Sequence, residues 1–190
     1  MNTGPINIVE GDQVRNENFL PGLHQPPSII IIGLGNPILG DDGFGWEVAR
    51  QLESQYPGMS NVFEIECASL GGLSLMERLI GHKIAILIDI VHLGQNPLGT
   101  LYCLPMEQLP DYSVGHTASS HDTTLRTAIQ VGRSLGASLP DTIWVVGVET
   151  TNTYDFSEEL SPPVAAAVPC AAQCILDLLN QFCIPAFKGE

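Results

Sequence analysis

Four consecutive isoleucines, Ile29, Ile30, Ile31 and Ile32, run straight into Gly33-Leu34-Gly35-Asn36-Pro37. A β-branched run with no polar position on either side suits a strand buried on both faces, and strands of that kind belong to parallel sheets covered by helices. Glycine and proline then break the strand into a turn. This one junction already points to an α/β domain.

The rest of the chain follows the same rhythm. The spacing predicts a helix over 44–56, where Phe44, Val48 and Leu52 recur at i, i+4 and i+8 while Glu47, Arg50 and Glu53 fall on other faces. Strands fit 62–67, 83–91, 100–104 and 142–149, with a short helix at 73–80. A helix is expected over 121–135, with Leu125, Ala128, Ile129 and Leu135 at its apolar positions, and a last one over 164–182, with Pro169 inside its first turns. Residues 105–120 read as a long loop, a class often tied to function. Alternating strands and helices predict a three-layer αβα sandwich with a mainly parallel, twisted sheet. Residues 1–27 lack a steady period and read as a poorly ordered N-terminal arm, which leaves 28–190 as a single domain.

Composition narrows the function. With 44% hydrophobic residues most of the chain is not disordered, and a net charge of −14 disfavours nucleic acid and anionic lipid. The longest apolar runs, around Ile29 to Leu34 and Val164 to Ala172, are too short to span a bilayer, and no secretion signal opens the chain. A cytoplasmic protein without membrane insertion is expected. The cysteines at 67, 103, 170, 174 and 183 form no CxxC, so neither a disulfide framework nor a zinc knuckle is indicated. Cys170 and Cys174, four apart on one helix, read as core residues, with a redox or metal role as the lesser alternative.

In open α/β sheets ligands bind beyond the carboxyl ends of the strands. The first turn is no dinucleotide site: Ile38 stands where GxGxxG needs its last glycine, and Asp41-Asp42 would repel a pyrophosphate. One aspartate of that pair suffices to cap the following helix, which frees the other. Asp89 ends the apolar run Ile84-Ala85-Ile86-Leu87-Ile88, at the same edge. His121 follows Ser119-Ser120 at the expected helix head; His116 and His92 have similar claims, but a helix anchors a ligand more rigidly. Asp42, Asp89 and His121 would make a mixed oxygen and nitrogen set suited to a divalent transition metal with open positions, or to acid–base chemistry without metal. No GxSxG elbow and no HExxH occurs.

The stretch Gly33-Leu34-Gly35-Asn36-Pro37-Ile38-Leu39-Gly40-Asp41-Asp42-Gly43-Phe44-Gly45 resembles the opening motif of the hydrogenase maturation proteases. Leu87-Ile88-Asp89-Ile90 is similar to that family's strand ending in aspartate, Ser119-Ser120-His121 to its histidine at a helix head, and Val146-Gly147-Val148-Glu149 with Leu160-Ser161-Pro162 to its last strand and the start of its final helix. The likeness spans about residues 28–182. It implies an endopeptidase that trims the C-terminus of a nickel–iron hydrogenase large-subunit precursor, with Asp42, Asp89 and His121 recognising nickel already inserted in that precursor. Nickel would thus arrive with the substrate. Either the metal activates the scissile bond or its water, or a carboxylate acts as general base; both remain open. One departure lies at Ser69-Leu70-Gly71-Gly72, where the family usually has a Gly-Thr pair.

Two rival readings share features. Peptidyl-tRNA hydrolase opens with a similar Gly-Leu-Gly-Asn-Pro, but Leu39-Gly40-Asp41-Asp42 departs from its continuation, and the acidic charge disfavours tRNA. A non-catalytic nickel-binding or precursor-holding chaperone would use the same three ligands.

Overall fold

A computed structural model describes residues 28–57, 62–109, 124–151 and 156–182. Five strands, β1 (Ile29–Leu34), β2 (Phe63–Ala68), β3 (Ile84–Val91), β4 (Leu101–Pro105) and β5 (Thr142–Glu149), form one sheet in the order β2-β1-β3-β5-β4. Every pairing is parallel except β4 with β5, which is antiparallel and closes one edge. The helices are α1 (Phe44–Gln55), α2 (Gly72–Arg78), α3 (Leu125–Ser134) and α4 (Pro162–Gln181), with two 3-10 turns at Gly40–Gly43 and Met106–Gln108.

The isoleucine run feeds both faces of the sheet. Ile29 and Ile31 join a core with Phe44, Val48 and Leu52 of α1 and with Ala171, Ile175 and Leu179 of α4. Ile30 and Ile32 join a second core with Leu75 of α2 and with Ala128 and Ile129 of α3. Each isoleucine is at most 2% exposed, so each contributes about 1.5–3 kcal/mol and holds a helical layer on its own side. The expected three-layer sandwich is the observed one.

Local departures have physical causes. Helix α3 begins at Leu125, because the Thr124 hydroxyl caps it by accepting from the Thr127 amide at 3.2 Å. It stops at Ser134, and Gly136 at φ +83° turns the chain away, so Leu135 is 81% exposed rather than in the core. Pro169 lies inside α4 without ending it. By length and composition α4 would suffice to cross a membrane, contrary to the sequence expectation, yet half of its apolar window is buried within this fold, as a core helix requires. Cys170 is exposed, while the Cys174 thiol hydrogen-bonds that of Cys103 on β4, so the cysteine pair four apart on the helix is not the pair that meets. The expected N-terminal arm lies outside the described residues.

Candidate functional site

The strand-to-helix turn after β1 is built for close approach. Gly35 sits at φ +122°, and a β-carbon there would run into the carbonyl of Asp42. At Gly45, in the first turn of α1, a β-carbon would meet the backbone of Leu34 and the carbonyl of Ile88. Helix α1 therefore starts directly on the carboxyl ends of β1 and β3. Glycine supplies both the φ and the missing volume.

This packing places the first acid. Asp42 is 3% exposed, and its Oδ2 accepts a hydrogen bond from the Asn36 amide at 2.8 Å, across the turn. Asp89 is fully buried on β3, with Oδ1 accepting from the Ile90 amide at 2.8 Å. Register pairs Gly33 with Ile88, so Asp89 stands level with Leu34, the last residue of β1. Strand alternation turns Asp89 toward the face of Ala85 and Leu87, the face that α2 and α3 cover. Both acids thus occupy the carboxyl edge of adjacent central strands.

His121 and His116 lie outside the described residues. The cap residue of α3 is Thr124. Among the described residues no three His, Cys, Asp or Glu side chains gather closely enough to hold a metal. His92 follows β3, and its Nδ1 sits 3.1 Å from the Thr150 carbonyl. A carbonyl only accepts, so that nitrogen carries the hydrogen.

Two acids carry roles that the sequence reading did not assign. Neither aspartate caps α1, whose cap residue is Gly43 with no side-chain bond. Asp41 instead reaches across the sheet edge: Oδ1 accepts from the Ser161 amide at 2.6 Å, while Oδ2 accepts from the Ser161 hydroxyl at 2.8 Å and from the Thr150 hydroxyl at 3.0 Å. Glu149, 2% exposed at the end of β5, accepts from the amides of Leu93 and Gly94 at 2.9 and 3.0 Å and from the Tyr102 hydroxyl at 2.6 Å. An acid beside a strand end or a helix start was the available signal, but local spacing names no partner 47 to 120 residues away. At the departure Ser69-Leu70-Gly71-Gly72, the Ser69 hydroxyl donates to the Gly35 carbonyl at 2.6 Å and so also braces the turn.

A cleft of about 340 Å³ opens beside this turn, lined in part by Gly40, Asp41, Leu98, Glu159 and Ser161. Ile38 and Phe156 are exposed, and Ile38 and Ser157 are joined through backbone bonding, Ser157 N donating to the Ile38 carbonyl at 3.1 Å.

The family model for hydrogenase maturation proteases matches residues 46–178. The hydrogenase expression/formation protein HupD of Thiocapsa roseopersicina is 25% identical over 168 residues, which cover 88% of this chain and 75% of that protein. HoxM of Azotobacter vinelandii, also a hydrogenase expression/formation protein, is 27% identical over 155 residues, covering 82% and 73%. Among solved structures, the hydrogenase maturating endopeptidase HybD of Escherichia coli shares the fold with a TM-score of 0.63 at 23% identity, covering 80% of this chain and 92% of the other. A hydrogenase maturation protease HycI of Thermococcus kodakarensis gives a TM-score of 0.57 at 24% identity, covering 83% and 95%.

Proposed function

The chain belongs to the hydrogenase maturation protease family, a family of peptide-bond hydrolases, and on that premise we propose that it removes the C-terminal extension of a nickel–iron hydrogenase large-subunit precursor after nickel insertion. The observation that carries the proposal is the pair of buried carboxylates, Asp42 and Asp89, at one edge of the central strands. Nickel belongs to the substrate here. The precursor presents it, and Asp42, Asp89 and His121 recognise it, as the motif resemblance implies.

The donor chemistry fits that task. Two carboxylates and an imidazole suit a divalent transition metal better than magnesium or calcium, which favour all-oxygen shells. A ligand set that binds the precursor well only when its metal is present makes cleavage follow insertion, so an unfinished precursor keeps its tail. The acidic surface, with a net charge of −14, disfavours tRNA as substrate. Processing in the cytoplasm, where a precursor is assembled, accords with this reading.

The test is a mass measurement on precursor incubated with the protein, once loaded with nickel and once metal-free. Release of a C-terminal peptide from the nickel-loaded form alone is expected. Cleavage of both forms would overturn metal-gated recognition. Tight binding without any change in precursor mass would instead identify a holding chaperone.

A further inference from the structure

The three hydrogen bonds into Asp41 join segments that are remote in sequence. Thr150 follows the end of β5, and Ser161 is the residue that opens α4. Ser161 is the cap residue of α4, yet its hydroxyl makes no cap bond to its own helix. The first two helical positions are Pro162 and Pro163. Proline has no N–H, so the helix offers its cap few donors to satisfy. The amide and the hydroxyl of Ser161 both turn to Asp41 instead. A negative side chain is also favoured at the start of a helix. The same turn is held a second time, where Gly40 N donates to the Ser157 carbonyl at 2.7 Å.

Asp42 is the next residue along, in the same 3-10 turn. Its carboxylate already accepts from the Asn36 amide on the inner side of the turn. The turn is thus held from outside through Asp41 and from inside through Asp42. We propose that Asp41 is a positioning residue: by gripping Ser161 and Thr150 it sets the orientation of the Asp42 carboxylate toward the incoming precursor. The part that concerns precursor and nickel rests on the function proposed above. The coupling of Asp41 to the orientation of Asp42 does not.

The experiment compares wild type with Asp41→Ala, Asp41→Asn and Ser161→Ala, each at a temperature where it is fully folded. Three quantities are read: Ni²⁺ affinity by calorimetry, kcat and KM on nickel-loaded precursor, and the amide resonance of Asn36, which reports the bond to Asp42. Loss of a supporting partner of a metal-binding residue typically lowers affinity or activity by about 10–100-fold. Asp41→Ala is expected to lower Ni²⁺ affinity and kcat by about tenfold or more and to shift the Asn36 resonance. Ser161→Ala keeps the backbone donor and should fall between, and Asp41→Asn should recover part of the loss. An Asn36 resonance unmoved in Asp41→Ala would overturn the inference whatever the activity. So would wild-type Ni²⁺ affinity and kcat in a variant whose only change is a lower Tm. If wild type itself neither binds Ni²⁺ nor cleaves, the proposed function fails, and the Asn36 resonance alone still decides the role of Asp41.

Discussion

The hydroxyl of Tyr102 on the edge strand donates to Glu149 Oε2 over 2.6 Å, while the other carboxylate oxygen takes two backbone amides from the connection after β3. One buried acid therefore fastens β4, β5 and the connection between β3 and β4 at the carboxyl edge. Glu149→Ala would leave three donors without their acceptor. A loss of about 3 kcal/mol is expected, read as a lower urea midpoint. Glu149→Gln should cost less, because it retains an acceptor oxygen.

Tyr102 adds a dependence on pH. Burial, and then the hydrogen bond to Glu149, push its phenol above the usual value of 10.0. The neutral phenol is thus the form that the fold favours. Its contribution is fully present below about pH 10 and is lost as the pH climbs through the raised value. The urea midpoint of wild type should fall more steeply above about pH 10 than that of Tyr102→Phe. Parallel curves for the two proteins would contradict the assignment.

Gly35→Ala meets two obstacles, a φ of +122° and the carbonyl of Asp42. A destabilisation of at least about 2 kcal/mol is expected in denaturant titration. Because the obstructing atom belongs to Asp42, the folded fraction should also cleave precursor more slowly. A variant that loses stability but keeps full kcat would separate the turn from the site.

Asp89→Asn preserves the volume of a fully buried side chain while removing its charge. Cleavage of nickel-loaded precursor should fall at least about 100-fold with the circular dichroism spectrum unchanged. His121→Ala is expected to abolish processing with the fold intact, since the motif resemblance gives this histidine a metal-recognising role. Normal processing by that variant would remove His121 from the site.

The fold was legible in the sequence because burial on both faces leaves a plain mark. The isoleucine run, the stretch Ile84 to Ile88 ending in Asp89, and the spacing of Phe44, Val48 and Leu52 each specify one element, and each occupies the expected layer. The place of Asp89 at the carboxyl edge was also legible, since an acid following the apolar run Ile84 to Ile88 has few places to go; the burial of Asp42, in the 3-10 turn after β1, was not. The partners of Asp41 were not. An aspartate beside a helix start reads locally as a cap, whereas Ser161 lies 120 residues later, and only the closed sheet brings it within 2.6 Å. Leu135 was misplaced because helical period carries the apolar pattern one residue beyond Ser134, where α3 ends just ahead of Gly136.

The two borders of the sheet differ from its interior in one practical respect. On β2 the outer strand carries Glu64 and Glu66, with Glu66 3.3 Å from Arg78. On β4 the outer strand finishes in Pro105, which has no amide hydrogen to offer. A second copy laid edge to edge along β2 would bring like charges together, and one laid along β4 would lose a rung of the ladder. Among the described residues each border of the sheet thus carries a feature that works against self-templated growth, like charge on one side and a missing donor on the other.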